Sequence, residues 1–178
     1  MEQLTRRLQD SATARMAFNE VITLYSEPLY WQIRRMVQNH DDANDLLQNV
    51  FMKAWTNIES FRGDAKLTTW LYKIAINESL TFLEKERKRL GVSMDEEASM
   101  LANTIEADEW IDGDELKKEL RKVIAALPEK QRLVFNMKYF DDMKYESISD
   151  ILGTSVGALK ASYHHAVNKI VKYFSEKS

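Results

Sequence analysis

Apolar residues recur along most of the chain at the three- and four-residue spacing of amphipathic helices, and no segment shows the pattern of a strand. Ser26 is the predicted cap of one helix, with Pro28 in its first turn, and Asp41 is the predicted cap of the next. The pattern therefore predicts an all-α protein without internal repeats. The predicted helices cover residues 14–24, 26–39, 42–57, 66–89, 114–126 and 129–139, followed by two more that end near residue 174.

Charge divides the chain into three parts. Residues 91–113 hold seven Asp/Glu and no Lys/Arg, whereas residues 1–90 carry a net charge of +1 and residues 114–178 one of +3. The acidic strip lacks sustained periodicity, apart from a short helical turn predicted near residues 105–111. The sequence therefore predicts two small helical domains, residues 1–90 and 114–178, joined by a flexible acidic linker.

Residues 144–166 are predicted to form two short helices that pivot on one glycine. Gly153 follows the apolar stripe of the first helix, where a helix end favours a residue tolerant of positive φ. Ser155 then caps a second helix, whose apolar side carries Leu159 and Tyr163. The pattern indicates a helix-turn-helix and points to DNA, although an ordinary pair of helices inside a helical core has the same pattern.

Composition excludes several classes of function. Among the 178 residues there is no cysteine, so disulfides and thiolate metal sites are excluded. No phosphate loop, nucleophile elbow or zinc-protease motif occurs, and the adjacent His164 and His165 point about 100° apart on a helix, so they do not clamp one metal ion. We therefore predict no enzymatic activity and no cofactor. The lack of a long apolar run or signal core predicts a soluble cytoplasmic protein without membrane insertion.

The net charge of −3 argues against unaided binding to duplex DNA. Phosphate contacts come mainly from Lys and Arg, and neither predicted domain has a large excess of them. Any contact with DNA is therefore expected to need help from a larger partner.

A polar stripe runs along the third predicted helix. Asp42, Asp45, Asn49 and Met52 follow one another at i, i+3, i+7 and i+10, with Gln48 beside them. A face of short acids, amides and one methionine suits a basic or amphipathic partner helix, although a merely solvated face has the same composition.

Aromatic and basic residues are interleaved in the segment that follows. Aromatic rings stack on unpaired bases while nearby cations hold phosphates, so this composition suits single-stranded or melted DNA. The alternative is that Trp70 packs in the core with Leu71 and Ile74. The interleaved residues are Phe61, Arg62, Lys66, Trp70, Tyr72, Lys73 and Asn77.

Three stretches together resemble one family of bacterial transcription proteins. Residues 41–55 (DDANDLLQNVFMKAW) resemble the polymerase-binding helix of sigma factors, and residues 61–77 (FRGDAKLTTWLYKIAIN) resemble the segment that opens and reads the minus-ten promoter element. Residues 127–135 (LPEKQRLVF) and 148–160 (ISDILGTSVGALK) resemble the domain that reads the minus-thirty-five element. In order and spacing the chain resembles the two-domain extracytoplasmic-function (ECF) sigma factors.

The resemblance implies a factor that binds core RNA polymerase and directs promoter-specific initiation, with promoter DNA and an anti-sigma factor as further partners. The implied polymerase-binding residues are Asp42, Asp45, Leu46, Gln48, Asn49, Phe51 and Met52. The implied minus-ten contacts are Phe61, Arg62, Lys66, Thr68, Thr69, Trp70, Lys73 and Asn77. The implied minus-thirty-five contacts are Ser155, Gly157, Ala158, Lys160, Ala161, His164 and His165.

One departure from the family pattern bears on DNA affinity. Many relatives carry arginine at the positions of Ser162 and His165, so the resemblance implies weaker phosphate contacts and the loss of arginine-to-guanine contacts there.

Two other classes of protein stay open from the sequence. They are a free-standing helix-turn-helix regulator and a helical adaptor that binds only proteins.

Overall fold

The computed structural model describes residues 1–63, 66–106 and 114–178. Within these ranges every regular element is helical, which confirms the predicted all-α class. Short 3₁₀ and π-helical turns occupy Ile58–Ser60 and Asn136–Phe140. The helices are α1 (Glu2–Gln9), α2 (Ala14–Val37), α3 (His40–Thr56), α4 (Leu67–Leu90), α5 (Met94–Glu106), α6 (Glu115–Ala125), α7 (Glu129–Phe135), α8 (Tyr145–Leu152) and α9 (Val156–Lys177).

Helices α1 to α4 form the first block, in which α2, α3 and α4 pack against one another and α1 covers α2. Buried alanines allow close contact, because Ala17, Ala43 and Ala75 are completely inaccessible to solvent. Leu29 and Ile33 of α2 fill the space between the helices and are also fully buried. This block therefore has an apolar core of interlocking large and small side chains.

Helix α2 runs without interruption through Pro28, whereas the sequence predicted two helices with Ser26 as the cap of the second. Ser26 instead donates its hydroxyl hydrogen to the carbonyl oxygen of Ile22, one turn earlier in the same helix. The prediction was wrong because Tyr25 and Leu29, on either side of the proline, are both buried in the block. Tertiary packing outweighs the hydrogen bond that Pro28 removes.

The start of α3 also differs from the prediction by two residues. Asn39, not Asp41, is the cap, because the side-chain oxygen of Asn39 accepts a hydrogen bond from the backbone N–H of Asp42 at 2.9 Å. Asp41 lies in the first turn, where its negative charge interacts favourably with the helix dipole.

The acidic strip contains a full helix, α5, which corrects the prediction of a flexible linker without sustained periodicity. Its apolar side chains Ala98, Leu101 and Ile105 follow helical spacing and are buried, and α5 packs against α6. A capping box begins the helix: Ser93 and Glu96 exchange hydrogen bonds of 3.0 and 3.1 Å between side chain and backbone. Most of the helical turn predicted near residues 105–111 lies outside the described residues.

Helices α6 to α9 form the second block, and the predicted helix at 129–139 appears as α7 followed by the π-helical turn. Helix α7 packs on α9, where the rings of Phe135 and Tyr163 stack with centroids 5.7 Å apart. Arg132 is only 1% exposed and donates a hydrogen bond of 3.2 Å to the carbonyl oxygen of Ala125. The second block thus holds a buried charge beside a small aromatic core.

The two blocks pack against each other. Helix α8 lies on α4, and one continuous apolar cluster includes Leu71 and Ile76 from the first block together with Ile148 and Ile151 from the second. Beside this cluster, Arg35 of α2 donates a hydrogen bond of 2.6 Å to the carboxylate of Asp141.

Burial governs the ionisation of groups at this contact between the blocks. It raises the pKa of the Asp141 carboxyl to about 6, although the neighbouring Arg35 acts in the opposite direction. Burial, and next the charge of Asp141, raise the pKa of Tyr72 to about 12. Protonation of Asp141 therefore falls in an experimentally accessible pH range.

We expect the free energy of unfolding to depend on Asp141 between pH 7 and pH 5. Because the folded-state pKa of about 6 exceeds the unfolded value, stabilisation by protonation is fully present below the unfolded pKa and is lost as pH rises through 6. Relative to Asp141→Asn, wild-type protein should gain about 1 kcal/mol on going from pH 7 to pH 5. Urea denaturation at both pH values measures this, and a constant difference between the two proteins would contradict it.

Candidate nucleic-acid and partner interfaces

The predicted helix-turn-helix is formed by α8 and α9. Gly153 ends α8 with a φ of +67°, and its N–H donates to the carbonyl oxygen of Ser149 at 2.8 Å. Ser155 caps α9, its hydroxyl oxygen accepting from the N–H of Ala158 at 3.3 Å. Leu159 is fully buried, so the apolar side of α9 faces the core and the two helices have a fixed relative orientation.

The opposite side of α9 is open to solvent. Of the implied minus-thirty-five residues, only Ala158 is half-buried; the exposed ones are Ser155, Gly157, Lys160, Ala161, His164 and His165. The ring of His164 shares a hydrogen bond of 3.0 Å with the amide of Asn168, one turn later. Of the two positions where relatives carry arginine, His165 is exposed and Ser162 is half-buried. The exposed side of α9 therefore has few positively charged side chains for the length of the helix.

Helix α4 presents a second outward row. Lys66, at its N-terminal cap, and Trp70, Lys73 and Asn77 on the helix follow at i, i+4, i+7 and i+11, so they lie on one face. Lys66, Lys73 and Asn77 are exposed and Trp70 is half-buried. Arg62 is exposed just before the helix. An aromatic ring flanked by cations is the arrangement that binds unpaired bases together with their phosphates.

Three other implied minus-ten residues are held inside the protein. Phe61 is 4% exposed and its ring lies 4.9 Å from that of Trp70, while Thr69 is 9% exposed. Thr68 is half-buried and shares a hydrogen bond of 2.9 Å with the hydroxyl of Tyr25. In this conformation Phe61 and Thr69 support the outward row, and direct base contact is closed to them.

The outward face of α3 carries the implied polymerase-binding residues. Asp45, Gln48, Asn49 and Met52 are exposed, the last of them by 67%. Leu46, in contrast, is buried in the core of the first block, because it lies on the side of α3 that faces the other helices.

Two further implied residues of α3 are partly covered. Phe51 is half-buried, with its ring edge-on to Phe18 at 6.3 Å. Burial, followed by the nearby carboxylates of Glu86 and Asp45, raises the pKa of Asp42. This end of α3 therefore has a concentrated negative potential, which suits a basic partner.

Sequence reasoning missed Trp55 on the same face. Trp55 is 42% exposed and its ring lies 5.1 Å from that of Phe18. Its spacing of three residues from Met52 was the signal that could have identified it. Met52 and Trp55 together give the otherwise polar face an apolar end, as protein interfaces commonly have.

Other kinds of site find no support in the described ranges. There, no group of three or more His, Cys, Asp or Glu is arranged to hold a metal ion. No helix in the described part of the chain combines the length and apolar character needed to cross a membrane.

A helix-turn-helix together with an aromatic and basic row is typical of DNA-binding proteins, and the face of α3 suits a protein partner. Comparison with protein families agrees. Residues 21–89 match Sigma-70 region 2, and residues 117–170 match Sigma-70, region 4.

Individual relatives point the same way. The chain is 31% identical over 156 residues to the ECF RNA polymerase sigma factor SigW of Bacillus subtilis, with 83% of each chain covered. It is 31% identical over 165 residues to the ECF RNA polymerase sigma-E factor of Escherichia coli K12, with 84% of this chain and 82% of that one covered. The chain belongs to the ECF RNA polymerase sigma factors, the proteins that direct promoter-specific initiation by core RNA polymerase.

Solved structures share the fold. The sigma factor RpoE, in complex with the anti-sigma factor NepR from Bartonella quintana, gives a TM-score of 0.70 at 21% identity, covering 89% of this chain and 96% of that one. CnrH, in complex with the cytosolic domain of CnrY, gives 0.72 at 19% identity, covering 98% and 97%.

Two glycines of the helix-turn-helix should respond oppositely to alanine. Gly153→Ala should destabilise the protein by about 1 kcal/mol, because a φ of +67° strains any side chain even though no atom lies within 4 Å of the added Cβ. Gly157→Ala, in the first turn of α9 with equally open surroundings, should be neutral or stabilising by up to about 0.5 kcal/mol. Thermal unfolding of both variants measures this, and equal shifts would contradict the backbone explanation.

Proposed function

We propose that residues 1–90 bind core RNA polymerase and read and melt the minus-ten element, and that residues 114–178 read the minus-thirty-five element. The matched sigma regions, 21–89 and 117–170, fall inside these two ranges. The observation that carries the proposal is that α3, α4 and α9 each turn a chemically distinct face to solvent. This division assigns no catalytic step to the chain itself, and the proposed place of action is the cytoplasm, where polymerase and promoter meet.

The proposed polymerase contact is the face of α3 that contains Asp45, Gln48, Asn49 and Met52, extended by Trp55. Exposed acids and amides pair with a basic helix, while Met52 and Trp55 supply apolar area without breaking the core. Leu46 and Phe51 contribute by holding α3 in place. Asp42 lies at the edge of the face, where burial and, next, the neighbouring carboxylates raise its pKa.

The proposed minus-ten contact is the row on α4. Trp70 supplies the ring on which an unpaired base stacks, with Phe61 supporting it from below. Lys66 and Lys73 hold phosphates, and Asn77 offers an amide to a base edge or sugar. Because Trp70 is already half-buried on Phe61, its ring position is largely set before DNA arrives.

The proposed minus-thirty-five contact is the exposed side of α9. Ser155 and Gly157 lie in its first turn, the part that enters the major groove in helix-turn-helix proteins. Lys160 is the only Lys or Arg among the seven implied residues, so this block positions the polymerase more than it binds DNA unaided.

Simultaneous contact with both elements requires the two blocks to separate. The minus-ten and minus-thirty-five elements are roughly 25 base pairs apart, which is about 85 Å along the duplex at ~3.4 Å per base pair. A compact protein of this length measures only about 40 Å across. Even with α5 intact, residues 91–113 can span about 50 Å, so the chain between the blocks is long enough.

An anti-sigma factor is the proposed regulator. Both structural neighbours named above were solved in complex with a second protein, described for RpoE as an anti-sigma factor. A protein that stabilises the docked arrangement of the two blocks would prevent initiation without competing for every contact, because the docked chain is too short to bridge the promoter.

Transcription reconstituted with core polymerase tests the function. The combined substitution Lys73→Ala/Asn77→Ala should leave polymerase binding unchanged and reduce open-complex formation about tenfold, because a phosphate contact and a hydrogen bond to a base edge or sugar are lost. Lys85→Ala, an exposed lysine of the same helix outside the row, is the matched control. Promoter binding at nanomolar strength by the isolated chain, in physiological salt, would instead favour a free-standing regulator.

A distance measurement tests separation of the blocks. Because the chain has no cysteine, Glu59→Cys and Lys172→Cys place one spin label on each block at exposed positions. The interlabel distance should lie within about 40 Å in the free protein and exceed about 60 Å in the promoter complex. An unchanged distance in a complex that initiates transcription would contradict the proposed opening.

A further inference from the structure

A cavity of about 230 Å³ lies where the C-terminal half of α2 meets the second block. Helix α2 contributes Trp31 and two arginines to its lining, α6 contributes Arg121 and Ile124, and the π-helical turn contributes Asn136 and Phe140. None of these residues belongs to the polymerase-binding or DNA-binding surfaces. The cavity is therefore a separate feature of the contact between the blocks.

The cavity has an excess of positive charge. Arg34, Arg35 and Arg121 all line it, and none of the lining residues in the described part of the chain is a carboxylate. Burial lowers the pKa of Arg35, and repulsion by Arg121 lowers it further, although the paired Asp141 acts in the opposite direction. The side chain of Arg121 makes no hydrogen bond or ion pair with any residue in the described ranges. Its guanidinium is thus available to an incoming anion.

Asn136 provides a second, independent sign of a ligand. It is only 3% exposed and lines the cavity, yet among the described residues neither its side-chain nitrogen nor its side-chain oxygen has a hydrogen-bond partner. Arg35 likewise has a buried Nε–H without a partner. Buried polar groups without partners are costly, so a ligand that pairs with them gains affinity.

Apart from Gln38, the remaining walls are aromatic or aliphatic. Trp31 and Phe140 are each about 40% exposed, and Ile124 is buried. Binding sites for small organic molecules combine apolar walls with a few convergent polar groups in this way. The volume is below that of drug-sized sites, which limits the ligand to roughly a dozen heavy atoms.

We propose that this cavity binds a small organic anion with a flat apolar body. Arg121 and the amide of Asn136 hold the anionic group, which is a carboxylate or a phosphate, and the apolar body lies against Trp31 and Phe140. Because the lining residues come from both blocks, the bound ligand stabilises their docked arrangement. In the proposed function the docked arrangement prevents initiation, so such a ligand inhibits initiation. Only this consequence rests on the proposed function.

Isothermal titration calorimetry of the full chain with three related probes tests the site. 1-Naphthoate and 1-naphthyl phosphate carry the two kinds of anion, and 1-naphthalenemethanol is the neutral control. The anionic probes should bind at least tenfold more tightly than the neutral one, and the tighter of the two identifies the preferred anionic group. Equal binding of all three probes, or no binding of either anion at millimolar concentration, would overturn the proposal.

Variants locate the binding and separate it from stability. Arg121→Gln should weaken anion binding about tenfold, whereas Lys117→Gln, which removes an exposed charge of the same helix, should leave it unchanged. Asn136→Leu should also weaken binding while raising the thermal midpoint of the free protein, since it removes an unpaired buried amide. Wild-type affinity in both Arg121→Gln and Asn136→Leu would show that the anion binds elsewhere and would overturn the assignment.

Discussion

Burial of one apolar surface, shared by α4 and α8, holds the two helical blocks together. Each block has fewer than 100 residues, and domains of this size bury a smaller fraction of their surface than larger ones. Ile148 and Ile151 of α8 belong to the same buried cluster as Leu71 and Ile76 of α4. The shared cluster thus extends both cores, and the rest of the docked arrangement depends on it.

Charged groups surround this cluster and specify its geometry. Arg87 donates hydrogen bonds of 3.0 Å to both Glu97 and Glu129, and so joins α4, α5 and the start of α7. Arg35 of α2 forms a similar pair with Asp141 of the second block. Buried pairs of this kind add little net stability, because desolvation offsets their attraction, but removal of one partner is costly. These pairs therefore contribute more to the geometry of the docked arrangement than to its stability.

The surfaces proposed to bind DNA and polymerase stay outside this contact. The exposed row on α4 and the outward side of α9 remain open to solvent while the blocks are docked. In the function proposed above, docking controls the distance between the two DNA-reading faces and leaves access to each of them unchanged. The arginine-lined cavity lies at the same contact, so an anion bound there acts on that distance.

Much of the local structure follows from the sequence. Gly153 and Ser155 identify the turn of the helix-turn-helix, since a positive φ and a helix cap each require particular residue types. The three family motifs likewise identify the class of protein, because their order and spacing are read directly from the chain. The assignment of single side chains to DNA or polymerase remains a prediction.

Only the tertiary structure decides which members of a motif reach the surface. Leu46, Phe61 and Thr69 belong to stretches that resemble functional segments, yet packing with neighbouring helices buries all three. Packing also carries α2 through Pro28 and forms α5 from a strip whose acidity predicted a linker. The contact between the blocks, with its cavity, joins residues some 100 positions apart, as in the pairing of Arg35 with Asp141. Periodicity describes only neighbours along the chain, so such contacts between distant residues appear only once the chain is folded.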